Sequence, residues 1–447
     1  MMKRLVGTVP QERPEIGLTA IALGLCIVTA AGPTLHARFG DWALIAIFAL
    51  SSLAAYAASR LGEYTDQRNA LVIILIGAAG MRLSLLFIEP TLSSDIYRYI
   101  WDGRVQAAGI NPYAHVPAAP ELALLRDSAI WPLINRADYA VTIYPPVAQA
   151  LFLGITRLGE TVVVMKLGLL LFEGVTVAAI IALIRRLGIS PARIAAYAWH
   201  PLPVWEIAGN GHVDAAMIAL LMMSLLVFIN GRWLLAGVLA TLGALIKATA
   251  LLALPVFWRP WDWKLPAVVV ATIAVAYLPY LSVGSGVLGF LGKYIEEEGF
   301  SEGRGFRLVW LLEQVTGPLP SLAGGLYAGA AALVLASLAL AVGFRVDRSK
   351  GAAIRALNWL LIAFLVLSTP HYPWYFLVLA PFLALAPTAT AWTLTTASVV
   401  LHYVVPGDLV PGYGTRFATF TLVTLVALAY DLWSVHRKAS RPIGETT

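Results

Sequence analysis

The chain has 447 residues, of which 59% are hydrophobic and only 13% are charged, and its mean hydropathy is +0.78. Soluble domains carry about 25% charged residues, so this composition excludes an ordinary water-soluble protein and favours one embedded in lipid. The formal charge is +6, but the basic residues stand in short clusters between apolar segments, as in cytoplasmic loops, which argues against a nucleic-acid partner. The single cysteine, Cys26, cannot form an internal disulfide.

Apolar segments recur from end to end of the chain, several of them close to the 20 or so residues that cross a bilayer. A basic N-terminus precedes the first segment, but no convincing cleavage site follows, so we interpret it as a retained span with its N-terminus inside. The predicted fold is all-α, a polytopic transmembrane helical bundle of about 11–13 apolar segments forming a single membrane domain over residues 1–447. The candidate spans are roughly 16–32, 42–59, 70–88, 162–184, 192–207, 213–230, 265–281, 321–344, 356–370, 373–387, 391–405 and 417–433.

Clusters of Lys and Arg orient these spans, because cytoplasmic loops carry an excess of both residues. All clusters fall on one side if two apolar pieces return without crossing, namely residues 145–157 and a hairpin over 232–258 that is interrupted by Lys247 and Pro255. Acidic residues then collect on the opposite side, and both termini, including a tail over 434–447, are predicted to be cytoplasmic. The basic residues used are Arg60, Arg68, Arg185, Arg186, Arg193, Arg232, Arg259, Lys264, Arg345, Arg348, Lys350, Arg355, Arg437, Lys438 and Arg441.

The long outer loop over 89–143 is the most informative segment. Loops longer than about 12–15 residues are usually functional or disordered, and this one is rich in Tyr and Trp, which argues against disorder. If its start is helical, Asp95, Arg98 and Asp102 share one face, where a carboxylate beside an arginine stays ionised and can accept a proton from a hydroxyl. The alternative is an amphipathic helix at the membrane surface, in which Arg98 merely bonds Asp102. The neighbouring face carries Tyr97, Trp101 and Arg104.

Two aromatic and polar runs lie at the ends of later spans. In residues 199–214 we favour a functional role for His212, because an ionisable group so close to the bilayer costs free energy and is usually functional. The alternative is a polar turn capped by Asn210 and Asp214. In residues 368–376, His371 and Tyr372 offer hydrogen bonds to a ligand. For Trp374 and Tyr375 of the same run, an aromatic belt explains the pattern as well as sugar stacking does.

Cations on the outer side suit an anionic ligand such as a lipid phosphate. Lys293 is explained equally well by surface solvation. The sequence contains no metal cluster of standard spacing, no Gly-rich nucleotide loop and no nucleophile elbow. Because nucleotide sugars are absent from the outer face, an enzyme working there needs a donor delivered in the membrane. The cations considered are Arg304, Arg307 and Arg416.

Several motifs in this order resemble those of bacterial polyprenol-phosphate-mannose-dependent mannosyltransferases, which belong to the glycosyltransferase C superfamily. The resemblance spans about residues 70 to 385, and it implies a multi-span helical fold in which an outer-face carboxylate acts as base. By that match Asp95 is the base and Asp102 is the runner-up. One departure is that two apolar spans precede the span leading into the loop. The matching segments are 95–104, 109–113, Tyr144-Pro145-Pro146, 200–214 and His371-Tyr372-Pro373-Trp374-Tyr375.

The predicted function is inverting transfer of a hexose, with mannose favoured, from a polyprenyl-phosphate donor to an acceptor hydroxyl at the periplasmic face of a bacterial inner membrane. The expected partners are the bilayer, the lipid-linked donor and a glycan, lipid or protein acceptor, while the oligomeric state stays open. No cofactor is certain, although two carboxylates and a phosphate could hold a divalent metal. The residues assigned to substrate binding are Tyr97, Arg98, Arg104, Asn111, Tyr113, Tyr144, His212, Arg304, Arg307, His371, Tyr372 and Arg416.

Two other classes of function compete with this one. A secondary transporter or lipid flippase would place ionisable groups near the midplane, often within inverted repeats; Lys247 fits that expectation, but no repeat is visible and the acids cluster in outer loops. A structural subunit of a cell-envelope assembly ranks last, because the acid–arginine–acid face of the loop is intact.

Overall fold

The chain folds into α-helices and shorter 3₁₀ and π segments in a computed structural model, which describes residues 14–300, 303, 305–345, 347, 349–402 and 413–439. No strand occurs in these ranges, and the predicted polytopic helical bundle is confirmed. The α-helices of the first half are α1 (Pro14–Phe39), α2 (Asp41–Leu61), α3 (Gln67–Leu86), α4 (Asp95–Ala107), α5 (Pro146–Thr156), α6 (Val162–Arg186), α7 (Ala195–Ala198), α8 (Pro201–Pro203), α9 (Asp214–Ile229), α10 (Trp233–Ala244) and α11 (Leu254–Phe257).

Eight helical stretches of the described chain are long and apolar enough to cross a membrane. Shorter or interrupted helices occupy the other predicted spans; one is broken at Pro201 and Pro203, because proline cannot donate a backbone hydrogen bond. The last helix continues into the predicted tail as far as Ala439. The α-helices of the second half are α12 (Lys264–Tyr277), α13 (Leu291–Glu297), α14 (Arg307–Thr316), α15 (Ala323–Gly343), α16 (Lys350–Ser368), α17 (Ala380–Leu385), α18 (Ala389–Ala397) and α19 (Tyr413–Ala439).

Side-chain caps fix where several spans begin. The Asp66 carboxylate accepts hydrogen bonds from the first amides of α3, the Thr161 hydroxyl from an amide of α6, and the Ser349 hydroxyl from an amide of α16. Each cap satisfies a backbone donor that has no partner within the helix. Polar residues at the ends of apolar runs therefore define the helix boundaries.

Contacts between loops divide the bundle into two ends. At one end Arg193 pairs with Glu63 at 3.3 Å, and Arg345 donates to the Val256 carbonyl oxygen at 2.9 Å. These loops carry the arginines that the sequence places in the cytoplasm, and we call this the basic end. The opposite end, which contains the long loop, is called the outer end. Its contacts join Asn210 to Leu92, Asn111 to Tyr280, Arg136 to Glu297 and Arg307 to Pro370.

The two apolar pieces that were predicted not to cross meet each other. After α10 the chain reverses at Leu245–Lys247 and returns through a 3₁₀ helix, Ala248–Ala253, and α11. The amides of Val147 and Ala148, at the start of α5, both donate to the Leu245 carbonyl oxygen at 3.2 Å. The tip of the hairpin therefore reaches the outer end, where its backbone accepts hydrogen bonds from the start of α5.

Charged side chains also lie inside the bundle. Arg82 of α3 makes two hydrogen bonds to the Glu173 carboxylate of α6, at 2.6 and 3.0 Å, and a third to the Ala198 carbonyl oxygen. Lys166 of α6 donates to the Ile88 carbonyl oxygen at 2.6 Å. Buried charges are tolerated only when they are paired or hydrogen-bonded, so these contacts hold α3, α6 and the end of α7 in fixed register.

Candidate active site

A cavity of about 660 Å³ lies at the outer end of the bundle. The long loop, the start of α9, the hairpin tip and the turn after α16 all contribute to its wall. Ligand pockets typically enclose about 300–1,000 Å³, so the cavity is large enough for a small-molecule ligand such as a sugar. Its polar and aromatic lining residues are Ser93, Ser94, Asp95, Arg98, Tyr99, Asn135, Arg136, Tyr144, His212, Asp214, Lys247, Thr249, Phe290, Tyr294, Phe364, Tyr372, Trp374 and Tyr375.

Asp95 is the first residue of α4 and lines the cavity. The Asn135 amide donates to Asp95 Oδ1 at 2.8 Å, and the Asp95 amide is bound by the Ser93 hydroxyl at 3.2 Å. No cation of the described residues lies within ion-pair distance of its carboxylate. A partly buried carboxylate that is held by a neutral amide keeps an oxygen for a substrate hydroxyl.

Arg98 and Asp102 form the ion pair that the helical spacing predicts. Arg98 Nε lies 2.8 Å from Asp102 Oδ1, and Arg98 also donates to the Ala140 carbonyl oxygen at 3.1 Å. The Gln149 amide binds the second oxygen of Asp102 at 2.9 Å, so that this carboxylate is 1% exposed and does not line the cavity. Because residues 96–105 are all buried in protein, α4 is not the surface helix of the alternative interpretation.

A stack of rings forms part of the cavity wall. Trp374 lies between His212, at 4.3 Å between ring centroids, and Tyr372, at 4.6 Å. The Trp374 indole is thus stacked with two neighbouring rings and also lines the cavity. Nε2 of His212 lies 3.2 Å from Oε2 of Glu206, but the geometry of this contact is not that of a hydrogen bond. Stacking energies of about 0.5–1.5 kcal/mol per aromatic pair make such a wall rigid.

The Tyr372 hydroxyl and Nδ1 of His371 contact the same carboxylate, that of Glu298, whereas Nε2 of His371 contacts the Gly305 carbonyl oxygen at 2.7 Å. Tyr372 donates to Glu298 at 3.3 Å, and His371 Nδ1 lies 3.1 Å from its other oxygen. Burial, followed by the nearby Glu298 charge, raises the pKa of Tyr372 above its usual range, so the hydroxyl stays protonated. His371 is 2% exposed and lies behind the cavity wall rather than on it.

The interior lysine of the hairpin completes the cavity. Lys247 Nζ lies 2.7 Å from Asp214 Oδ1 and 4.1 Å from the centroid of the Tyr375 ring. Asp214 is the first residue of α9 and is 2% exposed, so it belongs to this ion pair as well as to the turn that the sequence suggested. The cavity therefore contains one carboxylate paired with a cation and one, Asp95, held by an amide.

Several residues assigned to the substrate instead hold the long loop together. The Arg104 guanidinium pairs with Asp127 at 2.6 Å and with Glu160 at 2.7 Å. Tyr97 donates to Glu89 at 3.1 Å, and burial together with that carboxylate raises the pKa of Tyr97 to about 12. Asn111 binds Tyr280 and Ser282, and Tyr113 donates to the Tyr144 carbonyl oxygen at 2.7 Å. None of these four residues lines the cavity.

The expected phosphate-binding arginines also lie away from the cavity, as far as the described residues go. Arg307 is buried against Phe417 and Phe420 and donates to the Pro370 carbonyl oxygen at 2.7 Å. Arg416 pairs with Asp41 of α2 at 2.7 Å. Arg304 lies outside the residues that the structure describes. Of the assigned binding residues, Arg98, Tyr144, His212 and Tyr372 line the cavity together with Asp95.

Sequence reasoning did not select several other polar residues of the cavity. Asn135 and Arg136 come from the far end of the long loop, and Tyr99 and Tyr294 come from α4 and α13. The far end of the loop packs on α13 through the contact between Arg136 and Glu297, at 2.8 Å, and through Arg136 over the Tyr294 ring, at 5.5 Å from the guanidinium carbon to the ring centroid. For Lys247 the signal was present, because a lysine inside an apolar hairpin requires a buried partner.

No three His, Cys, Asp or Glu side chains of the described chain lie close enough together to hold a metal ion by themselves. The two carboxylates that line the cavity, Asp95 and Asp214, are the available oxygen donors. A divalent ion at this site would need further ligands, such as a donor phosphate.

Residues 16–261 match the family model described as alpha-(1->6)-mannopyranosyltransferase, N-terminal domain. This range covers more than half of the chain. The chain belongs to this family. The membership places it among proteins that are named for transfer of mannose.

Two curated relatives have the name alpha-(1->6)-mannopyranosyltransferase A. The protein of Mycobacterium tuberculosis is 31% identical over 185 residues, which cover 40% of this chain and 34% of the relative. The protein of Corynebacterium glutamicum is 29% identical over 189 residues, which cover 40% of this chain and 37% of the relative. The chain thus spans little more than a third of the length of these relatives. No solved structure matches the chain.

The mannopyranosyltransferase match includes only part of the cavity. Asp95, His212 and Lys247 lie within residues 16–261, whereas Tyr294 and Tyr372 lie beyond them. The matched half therefore supplies both carboxylates and the lysine, and the second half of the chain supplies most of the aromatic wall.

Proposed function

We propose that this protein transfers mannose from a polyprenyl-phosphate donor to an acceptor hydroxyl at the periplasmic face of a bacterial inner membrane. Family membership supports mannose as the sugar, and the apolar helices support a donor held in the membrane. The observation that carries the mechanism is Asp95, a carboxylate on the cavity wall that an amide holds and that no described cation neutralises. The orientation of the bundle rests on the basic clusters of the sequence.

In the proposed reaction Asp95 removes the proton from the acceptor hydroxyl as its oxygen attacks the anomeric carbon of mannose. The bond from that carbon to the phosphate oxygen breaks, and the polyprenyl phosphate leaves with the electron pair. A single displacement inverts the configuration at the anomeric carbon. Positioned general bases contribute about 10²–10⁴-fold to such a step, and a cation near the leaving phosphate offsets its growing charge.

His212 and Tyr144 then orient the sugar, because both line the same cavity as Asp95. The ring stack holds His212 in one orientation before substrate arrives. Pre-organised groups cost less to align in the transition state. The acceptor can be a glycan, a lipid or a protein, each of which presents a hydroxyl.

Product analysis tests this proposal. The full chain in lipid nanodiscs is given polyprenyl-phosphate mannose and a panel of glycan, lipid and peptide acceptors, and products are identified by mass spectrometry and by NMR of the anomeric proton. We expect a mannosylated acceptor whose anomeric configuration is opposite to that of the donor. Retained configuration would contradict the single displacement. Movement of donor lipid across proteoliposomes without any covalent product would favour a flippase instead.

A further inference from the structure

An apolar strip lies along the returning limb of the 232–258 hairpin. Ala248 and Leu251 are exposed, and Leu254, Pro255 and Trp258 are partly exposed. Residues three or four apart share one face of a helix, so these side chains form a single row. With rises of about 2.0 Å per residue in the 3₁₀ part and 1.5 Å in the α part, the row is roughly 17–20 Å long.

The part of the strip that is farther from the outer end borders an apolar groove of about 410 Å³. The groove lies between α12 and α15, and Leu254, Pro255 and Trp258 of the strip line one side of it. Both helices are almost unpacked: only Leu265 is buried in α12, and in α15 Gly324, Ala331 and Gly343 are. Side chains of these two helices therefore face the bilayer, and the groove opens to it. Its other lining residues are Leu265, Pro266, Val269, Ala339 and Leu340.

The strip begins beside a cation, Lys247, at the outer end of the bundle. Lys247 immediately precedes Ala248, and both line the cavity that contains Asp95. The Lys247 side chain is 18% exposed, so its ammonium is accessible while it pairs with Asp214. A fixed ammonium at the border between a polar cavity and an apolar row matches a molecule with an anionic head and an apolar tail.

We propose that the hairpin is the binding site of the donor lipid. Lys247 binds the phosphate of the polyprenyl carrier, and the prenyl tail follows the strip and enters the bilayer between α12 and α15. One row of side chains accommodates one chain, which favours a single-chain prenyl phosphate over a two-chain phospholipid. The inference rests on the proposed function, and it supplies the cation that the leaving phosphate requires.

The tail contact is tested by the dependence on chain length. In Leu254→Trp, which fills the strip beyond the reach of the first two isoprene units, KM for a long-chain donor should rise by at least about tenfold more than KM for a two-isoprene donor, because two lost CH₂ contacts are worth about that much. Leu23→Trp is the matched control, since Leu23 is 61% exposed on α1, away from the hairpin. An equal rise with both donors, or the same change in Leu23→Trp, would overturn the proposed path.

Photo-crosslinking tests whether the lipid binds at the hairpin, and it does not require sugar transfer. Polyprenyl phosphate with a diazirine on its second isoprene unit should label residues 248–258 of the full chain in nanodiscs. Lys247→Met should lower that labelling about tenfold at subsaturating ligand, and Lys247→Arg should restore it, since a charge-assisted contact is worth about 1.5–3 kcal/mol. Labelling elsewhere would refute the proposed lipid-binding site even if mannose transfer is observed. If the strip is labelled but the protein transfers no mannose, the lipid-binding site would stand and the proposed function would be refuted.

Discussion

Partners, rather than residue type, distinguish the carboxylates near the cavity. Asp102 is bound by Arg98 and Gln149, Asp214 by Lys247, and Asp95 by the neutral amide of Asn135. An ion-paired carboxylate is occupied by its cation, whereas one held by a single neutral amide keeps an oxygen for the hydroxyl of an acceptor. These partners are why the proposed mechanism assigns proton removal to Asp95.

The buried pair of Arg82 and Glu173 makes a stability prediction. Glu173→Ala leaves an uncompensated guanidinium inside the bundle, which should destabilise the protein by about 3–5 kcal/mol. The measurement is thermal unfolding in detergent, with Arg82→Met/Glu173→Leu as the matched control. Because the double variant removes both charges, it should recover most of the loss. A double variant as unstable as the single one would contradict the account.

Individual residues of the site were predictable where a motif or a costly charge identified them. Asp95, His212 and Tyr372 stand in polar runs at the ends of apolar spans, and the structure places all three on one cavity. Asn135 and Arg136 gave no such signal, because an ordinary loop residue reaches the cavity only through the three-dimensional path of the loop. For Arg307 the charge was evident, but its burial against Phe417 and Phe420 depends on distant helices.

Among the elements, α4 and α5 pack unusually closely at Gly103. A Cβ at that position would lie 2.6 Å from the Phe152 carbonyl oxygen and also against the Thr156 side chain. Gly103→Val should therefore push α4 away from α5 and move Asp95, with a loss of transfer activity and of thermal stability. The control is Gly154→Ala on α5, where an added Cβ meets nothing within 4 Å. Equal stability of the two variants would show that the helices are not in this contact.

The long loop should be sensitive to acid through Asp127. Partial burial works to raise the pKa of Asp127, but hydrogen bonds from Arg104 and from the Ile130 and Trp131 amides hold it at about 2. Because this value is below the unfolded value of 3.8, the contribution to stability is complete above pH 4 and is lost as the pH falls towards 2. The protection factors of the amides in residues 120–135, which are corrected for the intrinsic pH dependence of exchange, should therefore fall below pH 4, and Asp127→Asn should abolish that fall. Protection that is unchanged down to pH 2 would contradict it.

The approximate positions of the membrane spans and of the hairpin turn could be predicted from the sequence alone. Apolar length located the spans, and the turn at Lys247 was predictable because a lysine cannot end in lipid without a partner. The path of the long loop was not predictable, because ion pairs between distant residues, such as Arg104 with Glu160 and Arg136 with Glu297, determine it. The contact between α5 and the hairpin tip depends on backbone hydrogen bonds, which leave no pattern in the residues.

At the scale of the whole molecule, the proposed topology makes a labelling prediction. In a Cys26→Ala background, Asp138→Cys in the long loop should react with an impermeant maleimide added outside intact cells. Arg186→Cys at the end of α6 should react only after the membrane is opened. Both sites are exposed in the structure, so access depends on sidedness alone. Labelling of position 138 only from the cytoplasm would reverse the bundle and remove the periplasmic site.

The most direct test of the central claim is the transfer rate of Asp95→Asn. The substitution keeps the shape of the side chain but removes the base, so kcat should fall by about 10²–10⁴-fold while thermal stability stays unchanged. Asp138→Asn, in the same loop and exposed, is the matched control and should transfer mannose at the wild-type rate. A rate for Asp95→Asn close to that of the wild type would show that another group removes the proton.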